Sequence, residues 1–176
     1  MVLEDGTKGR LFSEGVNYHK GINATVSLNV PPHKAYNAGG MGALINGVSG
    51  SNTRFGDKEW LGFWGDDLEI VITFKEPTEI SKVSTRFFNA NGQWLYTPQH
   101  LAGQVLTTDG EIVASKNQIK HSEGQTLIDA GLVFTAPNKI IATSLTLLVP
   151  NYGLIPEGLQ GSGNKAWTFI DEIIIE

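Results

Sequence analysis

From Leu68 to Lys75 the chain keeps a two-residue period: Leu68, Ile70, Ile72 and Phe74 alternate with Glu69, Val71, Thr73 and Lys75. Successive side chains of a strand point to opposite faces, so this period makes one apolar face and commits the segment to a half-buried β-strand. The pattern recurs. Ala24, Val26, Leu28 and Val30 share a face before Pro31-Pro32 stops the run, and Val83, Thr85 and Phe87 do the same before Asn89-Ala90-Asn91-Gly92. Stretches of helical length rich in Ala, Leu, Glu and Lys are absent, and the 18% charged fraction is too small to supply many solvated helix faces.

Turn signals divide the rest into similar lengths. Glu76-Pro77 is expected to close the Leu68 strand, since proline cannot donate to a ladder. Leu101–Thr108 leads into Asp109-Gly110, a tight-turn pair that predicts a hairpin with Glu111–Ser115. Leu127–Phe134 and Ala142–Val149 are separated by Pro137-Asn138, and Trp167–Ile175 reads as a last strand with Phe169, Ile173 and Ile175 on one side. Tyr36–Asp67 is Gly-, Asn- and Ser-rich and reads as one long loop, of a length that is usually functional or internally packed. About eight strands with no helical period between them predict an all-β antiparallel β-sandwich or jelly roll. Residues 1–13 read as a leader or linker and 14–176 as one domain, long enough to bury a core without staples.

Several chemistries are argued against. The formal charge of −5 and the scatter of 13 basic residues leave no basic patch for nucleic acid. No apolar run approaches the roughly 18 residues of a membrane span. Gly47–Ser51 lacks the spacing and setting of a nucleophile elbow, and Gly158–Lys165 lacks the Ser or Thr and the helix of a phosphate loop. His19, His33, His100 and His121 are too dispersed for a transition metal and read as surface or locally hydrogen-bonded imidazoles. Asp66 and Asp67, as strand neighbours, cannot face one another as a hydrolytic carboxylate pair, and read as a turn residue and a strand edge. The chain is therefore expected not to be an enzyme by itself. With no Cys, the sequence carries no redox signal.

Three segments in order are more specific: Ala43-Leu44-Ile45-Asn46-Gly47-Val48-Ser49-Gly50-Ser51 with Trp60-Leu61-Gly62-Phe63; Gly92-Gln93-Trp94-Leu95-Tyr96-Thr97-Pro98; and Lys165-Ala166-Trp167-Thr168-Phe169-Ile170-Asp171-Glu172-Ile173. This set resembles the coagulation factor 5/8 type C (discoidin) superfamily, with its galactose-binding-like jelly roll. It is most similar to family 32 carbohydrate-binding modules and to the domains appended to bacterial β-hexosaminidases and chitobiases. The resemblance spans about residues 16–176. It implies a structural Ca2+ ion held by the side chains of Asn46, Ser51 and Glu172 and the carbonyls of Ala43, Val48 and Asp171. Calcium takes six to eight hard oxygens, and such an ion would tie the first long loop to the last strand. The superfamily's usual Asp is Asn46 here, which lowers the charge count and predicts weaker binding. The alternative is an Asx turn at Asn46-Gly47 with Glu172 salt-bridged or solvated.

The resemblance also implies a glycan ligand, bound on loops at one end of the sandwich. Aromatic rings with one apolar face and a polar edge suit sugars. The candidate ligand residues are Tyr36, Arg54, Trp64, Trp94 and Tyr152, while the motif residues Trp60, Phe63, Trp167 and Trp94 itself read mainly as packing. The implied partner is the catalytic domain of a secreted bacterial glycoside hydrolase, with terminal galactose or N-acetylhexosamine-type ligands and a periplasmic or extracellular setting. Two other readings stay open: a spacer domain packed on a catalytic partner, and a surface adhesion module for protein or lipid headgroups, which would need protruding apolar or basic loop tips.

Overall fold

The computed structural model describes residues 15–37 and 39–176. The leader or linker expected over residues 1–13 lies outside the described residues. The strands are β1 (Thr25–Leu28), β2 (Leu61–Trp64), β3 (Leu68–Ile80), β4 (Lys82–Phe88), β5 (His100–Thr107), β6 (Ile112–Gln118), β7 (Leu127–Val133), β8 (Ile140–Val149), β9 (Trp167–Ile170) and β10 (Ile174–Ile175). One sheet runs β1-β3-β8-β5-β6. In the other, β7 pairs along one side of β4 while β9 and β10 share its other side, and β2 pairs β9. Every ladder between these strands is antiparallel. This is the all-β sandwich that the alternation predicts.

The two inner faces meet in one core. Ile70, Ile72, Leu101, Val105, Leu145 and Leu147 come from the first sheet, and Val83, Phe87, Ile128, Leu132 and Ile170 from the second. A second apolar cluster, Trp60, Phe88, Leu95 and Phe169, lies on the outer face of the second sheet. The β1–β2 connection covers that face with Tyr36 and Phe55. It also caps the β2 edge: His33 N–H donates to Gly62 C=O (2.8 Å) and Gly62 N–H to Tyr36 C=O (3.1 Å). Covering an edge in this way removes a row of unpaired backbone groups.

Three sequence expectations need correction. Tyr36–Asp67 is not all loop, since it contains β2 and a short 3-10 helix, Met41–Leu44. Leu61, Gly62 and Phe63 are all buried, so β2 shows no polar alternation to betray it. β3 does not end at Pro77. It continues to Ile80 across a register irregularity between Thr73 and Thr78, where a bulge leaves the ladder without need of a proline N–H. The last strand is broken at Asp171–Ile173. Phe169 faces the outer cluster whereas Ile170, Ile173 and Ile175 face the core, so the break shifts the phase by one residue. That shift lets the neighbouring Asp171 and Glu172 both turn inward, at 0% and 2% exposure.

Candidate functional site

Antiparallel order sends the β2–β3, β4–β5, β6–β7 and β8–β9 connections to one end of the sandwich, opposite the β3–β4 turn and the last strand's end. Trp64 closes β2 at this end, directly across from Trp167, which opens β9. The two rings stack with centroids 5.9 Å apart and planes 20° apart. Trp64 is 48% exposed, and its indole N–H donates to the Lys165 carbonyl at 3.1 Å. Trp167 is half-buried, with His33 (5.1 Å, 87°) and Tyr36 (5.4 Å, 83°) edge-on to it. One face of an aromatic pair is therefore offered to solvent while its floor is fixed by neighbouring rings.

The loops around this pair are braced by hydrogen bonds. Asp67 accepts the Asn151 backbone N–H (2.7 Å), and the Asn151 amide donates to Ala166 C=O (2.9 Å) and the Thr168 hydroxyl (3.0 Å) while accepting from Gly153 N–H (2.8 Å). Gly65 follows Trp64 at φ 73°, with the Lys165 stem lying against it where a Cβ would be. Asp67 indeed sits just before a strand, as read from sequence.

A second aromatic group adjoins it. Trp94 C=O accepts from Trp167 N–H (2.9 Å), so the β4–β5 connection docks beside β9. Tyr96 is buried, packs in a tilted contact against half-buried Tyr152 (4.8 Å, 32°) and donates its hydroxyl to Gln160 C=O (2.8 Å). Trp94 is half-buried with Gly161 pressed on its ring, at φ 85°. Burial, with Tyr152 nearby, pushes the Tyr96 phenol above its usual range.

Of the five expected ligand residues, Trp64 presents a broad solvent-facing ring. Tyr36, Trp94 and Tyr152 are half-buried and hold loops in place. Arg54 is exposed beside Phe55, which packs on Phe88 and Phe169. The roles of Lys165, Asp67 and Asn151 had no sequence signal of their own, because each depends on a contact across 15 residues or more.

The expected calcium loop adjoins the broken end of β9. Asn46 Oδ1 accepts Val48 N–H (2.7 Å) in an Asx turn, with Gly47 at φ 84°, and its amide donates to Glu59 (2.8 Å). Ser51 Oγ accepts Thr53 N–H (3.3 Å). Glu172 Oε1 accepts from Gly47 N–H (2.9 Å) and His19 Nε2 (2.6 Å), while its Oε2 is buried without a hydrogen-bond partner. That orphaned oxygen suits a cation, but Asn46 is neutral and solvent-exposed. The neighbouring Asp171 Oδ1 is likewise buried without a partner, but the implied ligand set takes only the Asp171 carbonyl. That set, one carboxylate with neutral donors, fits a weak site at most, because affinity follows ligand charge. Among the described residues, no three His, Cys, Asp or Glu side chains form a metal-binding group. Of the two sequence readings for the histidines, surface or locally hydrogen-bonded, His19 meets the second: it is 6% exposed and its Nδ1 accepts Gly21 N–H at 3.1 Å.

No protein-family model matches the sequence. No curated protein matches it significantly. Solved structures do match in fold. A mutant of the lectin binding domain of lectinolysin complexed with Lewis b aligns at TM-score 0.54 and 13% identity, covering 92% of this chain and 97% of that one. The family 32 carbohydrate-binding module of Streptococcus pneumoniae EndoD gives 0.53 and 14%, over 90% and 99%. A family 32 module of a GH31 protein bound to GalNAc gives 0.50 and 12%, over 87% and 97%. The chain shares its β-sandwich fold with these three solved domains. At these identities the likeness concerns the β-sandwich fold alone; the ligand has to be argued from the site.

Proposed function

We propose that this chain is a non-catalytic carbohydrate-binding module that takes a terminal galactose or N-acetylhexosamine-type sugar against the open face of Trp64. The observation that carries this reading is the half-exposed Trp64 ring, stacked on Trp167 at the loop end of the sandwich. An isolated exposed Trp is mobile and costs ordering entropy on binding. A ring whose other face and N–H are already engaged is pre-organised, and its apolar face matches the C–H face of a pyranose. Solved neighbours of the same fold carry Lewis b and GalNAc, which supports a sugar ligand here. The parent protein would be a secreted bacterial glycoside hydrolase of the β-hexosaminidase or chitobiase type, acting in the periplasm or outside the cell. A calcium ion at Ala43, Asn46, Val48, Ser51, Asp171 and Glu172 would be structural and weakly held.

A glycan array spanning terminal galactosides, N-acetylhexosaminides and chitooligosaccharides tests the reading. Signal on at least one class, lost in Trp64→Ala, supports it; silence across all three for a folded chain refutes it. A second reading has its own observation. Leu154 (68% exposed) and Leu159 (45%) lie on the β8–β9 connection at the same end, as a docking face for a catalytic partner would require. Under that reading, Leu154→Ser/Leu159→Ser raises solubility, and the array stays silent with or without Trp64.

A further inference from the structure

The break in the last strand leaves Asp171 fully buried, and a buried carboxylate needs a counter-charge. Arg86, from the neighbouring β4, provides it. Its Nε donates to Asp171 Oδ2 at 3.0 Å, and its Nη2 donates to the same oxygen. Two further donors of the guanidinium fork go elsewhere: Nη2 to Gly50 C=O (2.8 Å) and Nη1 to Asn52 Oδ1 (2.8 Å). Asp171 Oδ2 also accepts Gly50 N–H at 3.0 Å. The guanidinium lies 5.5 Å from the centre of the Trp60 ring. One side chain thus joins β4, the last strand and the Gly50–Asn52 turn, and rests on the residue that anchors the far end of that loop.

The neighbouring contacts act in the same direction. Gly47 and Gly50 both aim their N–H groups at carboxylates, those of Glu172 and Asp171. His19 comes from the opposite end of the chain. Its Nδ1 accepts Gly21 N–H (3.1 Å), so the ring proton sits on Nε2 and is donated to Glu172. Loop and strand are therefore tied by fixed donors of the protein itself. We propose that Arg86 does in this chain the work of a bound cation at the loop-to-strand junction, so that the 46–60 loop stays closed without calcium. Guanidinium suits the task because its planar fork makes several directed bonds at once and keeps its charge at all working pH values. This tie is independent of the glycan reading, and sugar binding is not its readout.

Arg54, exposed in the same loop, makes the loop's opening measurable by trypsin. The folded full chain is digested in excess EGTA and in millimolar calcium, and cleavage after Arg54 is timed by mass spectrometry. The expected rates in the two media agree within about twofold. Arg86→Lys, which keeps the charge but loses the fork, should be cleaved at least about tenfold faster in both. Arg86→Met should melt several degrees lower, and Arg86→Met/Asp171→Ala should recover part of that loss. If Arg86→Met does not fold, Arg86→Lys still decides. A tenfold acceleration of the unaltered chain by EGTA would overturn the proposal, because an ion would then hold the loop. Cleavage of Arg86→Lys at the unaltered rate would overturn it equally.

Discussion

Trp64 and Trp167 are directly paired residues on antiparallel neighbours, and their indoles stack 5.9 Å apart at 20° with only one outer face left to solvent. The pair has unequal partners. Trp167 is also touched by His33, Tyr36 and Phe169, so it is the floor and Trp64 the platform.

This asymmetry predicts separable effects on stability. Trp64→Ala removes a half-exposed ring and should shift the melting temperature by no more than about 2 °C. Trp167→Ala removes a contact shared by four rings and should cost about 2 kcal/mol or more, roughly 4–8 °C for a chain of this size. Thermal melts of the two variants side by side check it; equal losses would contradict the assignment of floor and platform.

Gly161 offers a test of how the second aromatic group is held. Its φ of 85° is costly for any L side chain, by about 1–2 kcal/mol, and an added Cβ would overlap the Trp94 ring. Gly161→Ala should therefore lower the melting temperature by about 3–8 °C and change Trp94 fluorescence. Gly158, also at positive φ (84°) but with nothing within 4 Å of an added methyl, separates strain from overlap. Gly158→Ala should cost less and leave the Trp94 emission unchanged.

Asp171 sets the sign of a pH dependence. Burial raises its carboxyl from 3.8 to about 6, outweighing the downward pull of Arg86 and Gly50 N–H. Between those values the folded chain holds more protons than the unfolded one, so this group adds stability as pH falls through 6, in full below about 3.8. Glu79 and Glu176, held below their ordinary value by Lys139 and Lys82, act oppositely and lose their small contributions as pH falls below about 4.5. Stability should thus rise from pH 7 to about 5 and fall in stronger acid. Melting curves across that range, repeated for Asp171→Asn, check it: the rise should vanish in the variant. A monotonic fall of the unaltered chain from pH 7 to 5 would exclude a raised Asp171.

Much of the fold was written locally. Alternation marked most of the strands within a few residues, because each has one apolar and one solvent-facing side. It missed β2, whose Leu61, Gly62 and Phe63 are all buried and so carry no period. It also missed the phase shift at Asp171–Ile173, since nothing in Ile-Asp-Glu-Ile announces that both acids turn inward. That shift depends on the distant Arg86, Gly47, Gly50 and His19. For the candidate site, residue type singled out the rim aromatics, but only their neighbours separate a platform from a plug. Trp94 lies under Gly161 and Tyr152 lies on Tyr96, whereas Trp64 keeps a free face. The Asn46–Gly47 Asx turn was legible from the dipeptide; its connection to Glu59 was not.

Whether Trp64 is a sugar platform is decided by calorimetric titration of the chain with GalNAc and with a terminal β-galactoside, using Trp64→Ala and Ile112→Ser as variants. Ile112 is 65% exposed at the opposite end of the sandwich and serves as the neutral comparison. Saturable binding of at least one sugar is expected, weakened about tenfold or more in Trp64→Ala, as the loss of a stacking ring requires, and unchanged in Ile112→Ser. Binding that survives Trp64→Ala undiminished, or no binding by a folded chain, would rule the platform out.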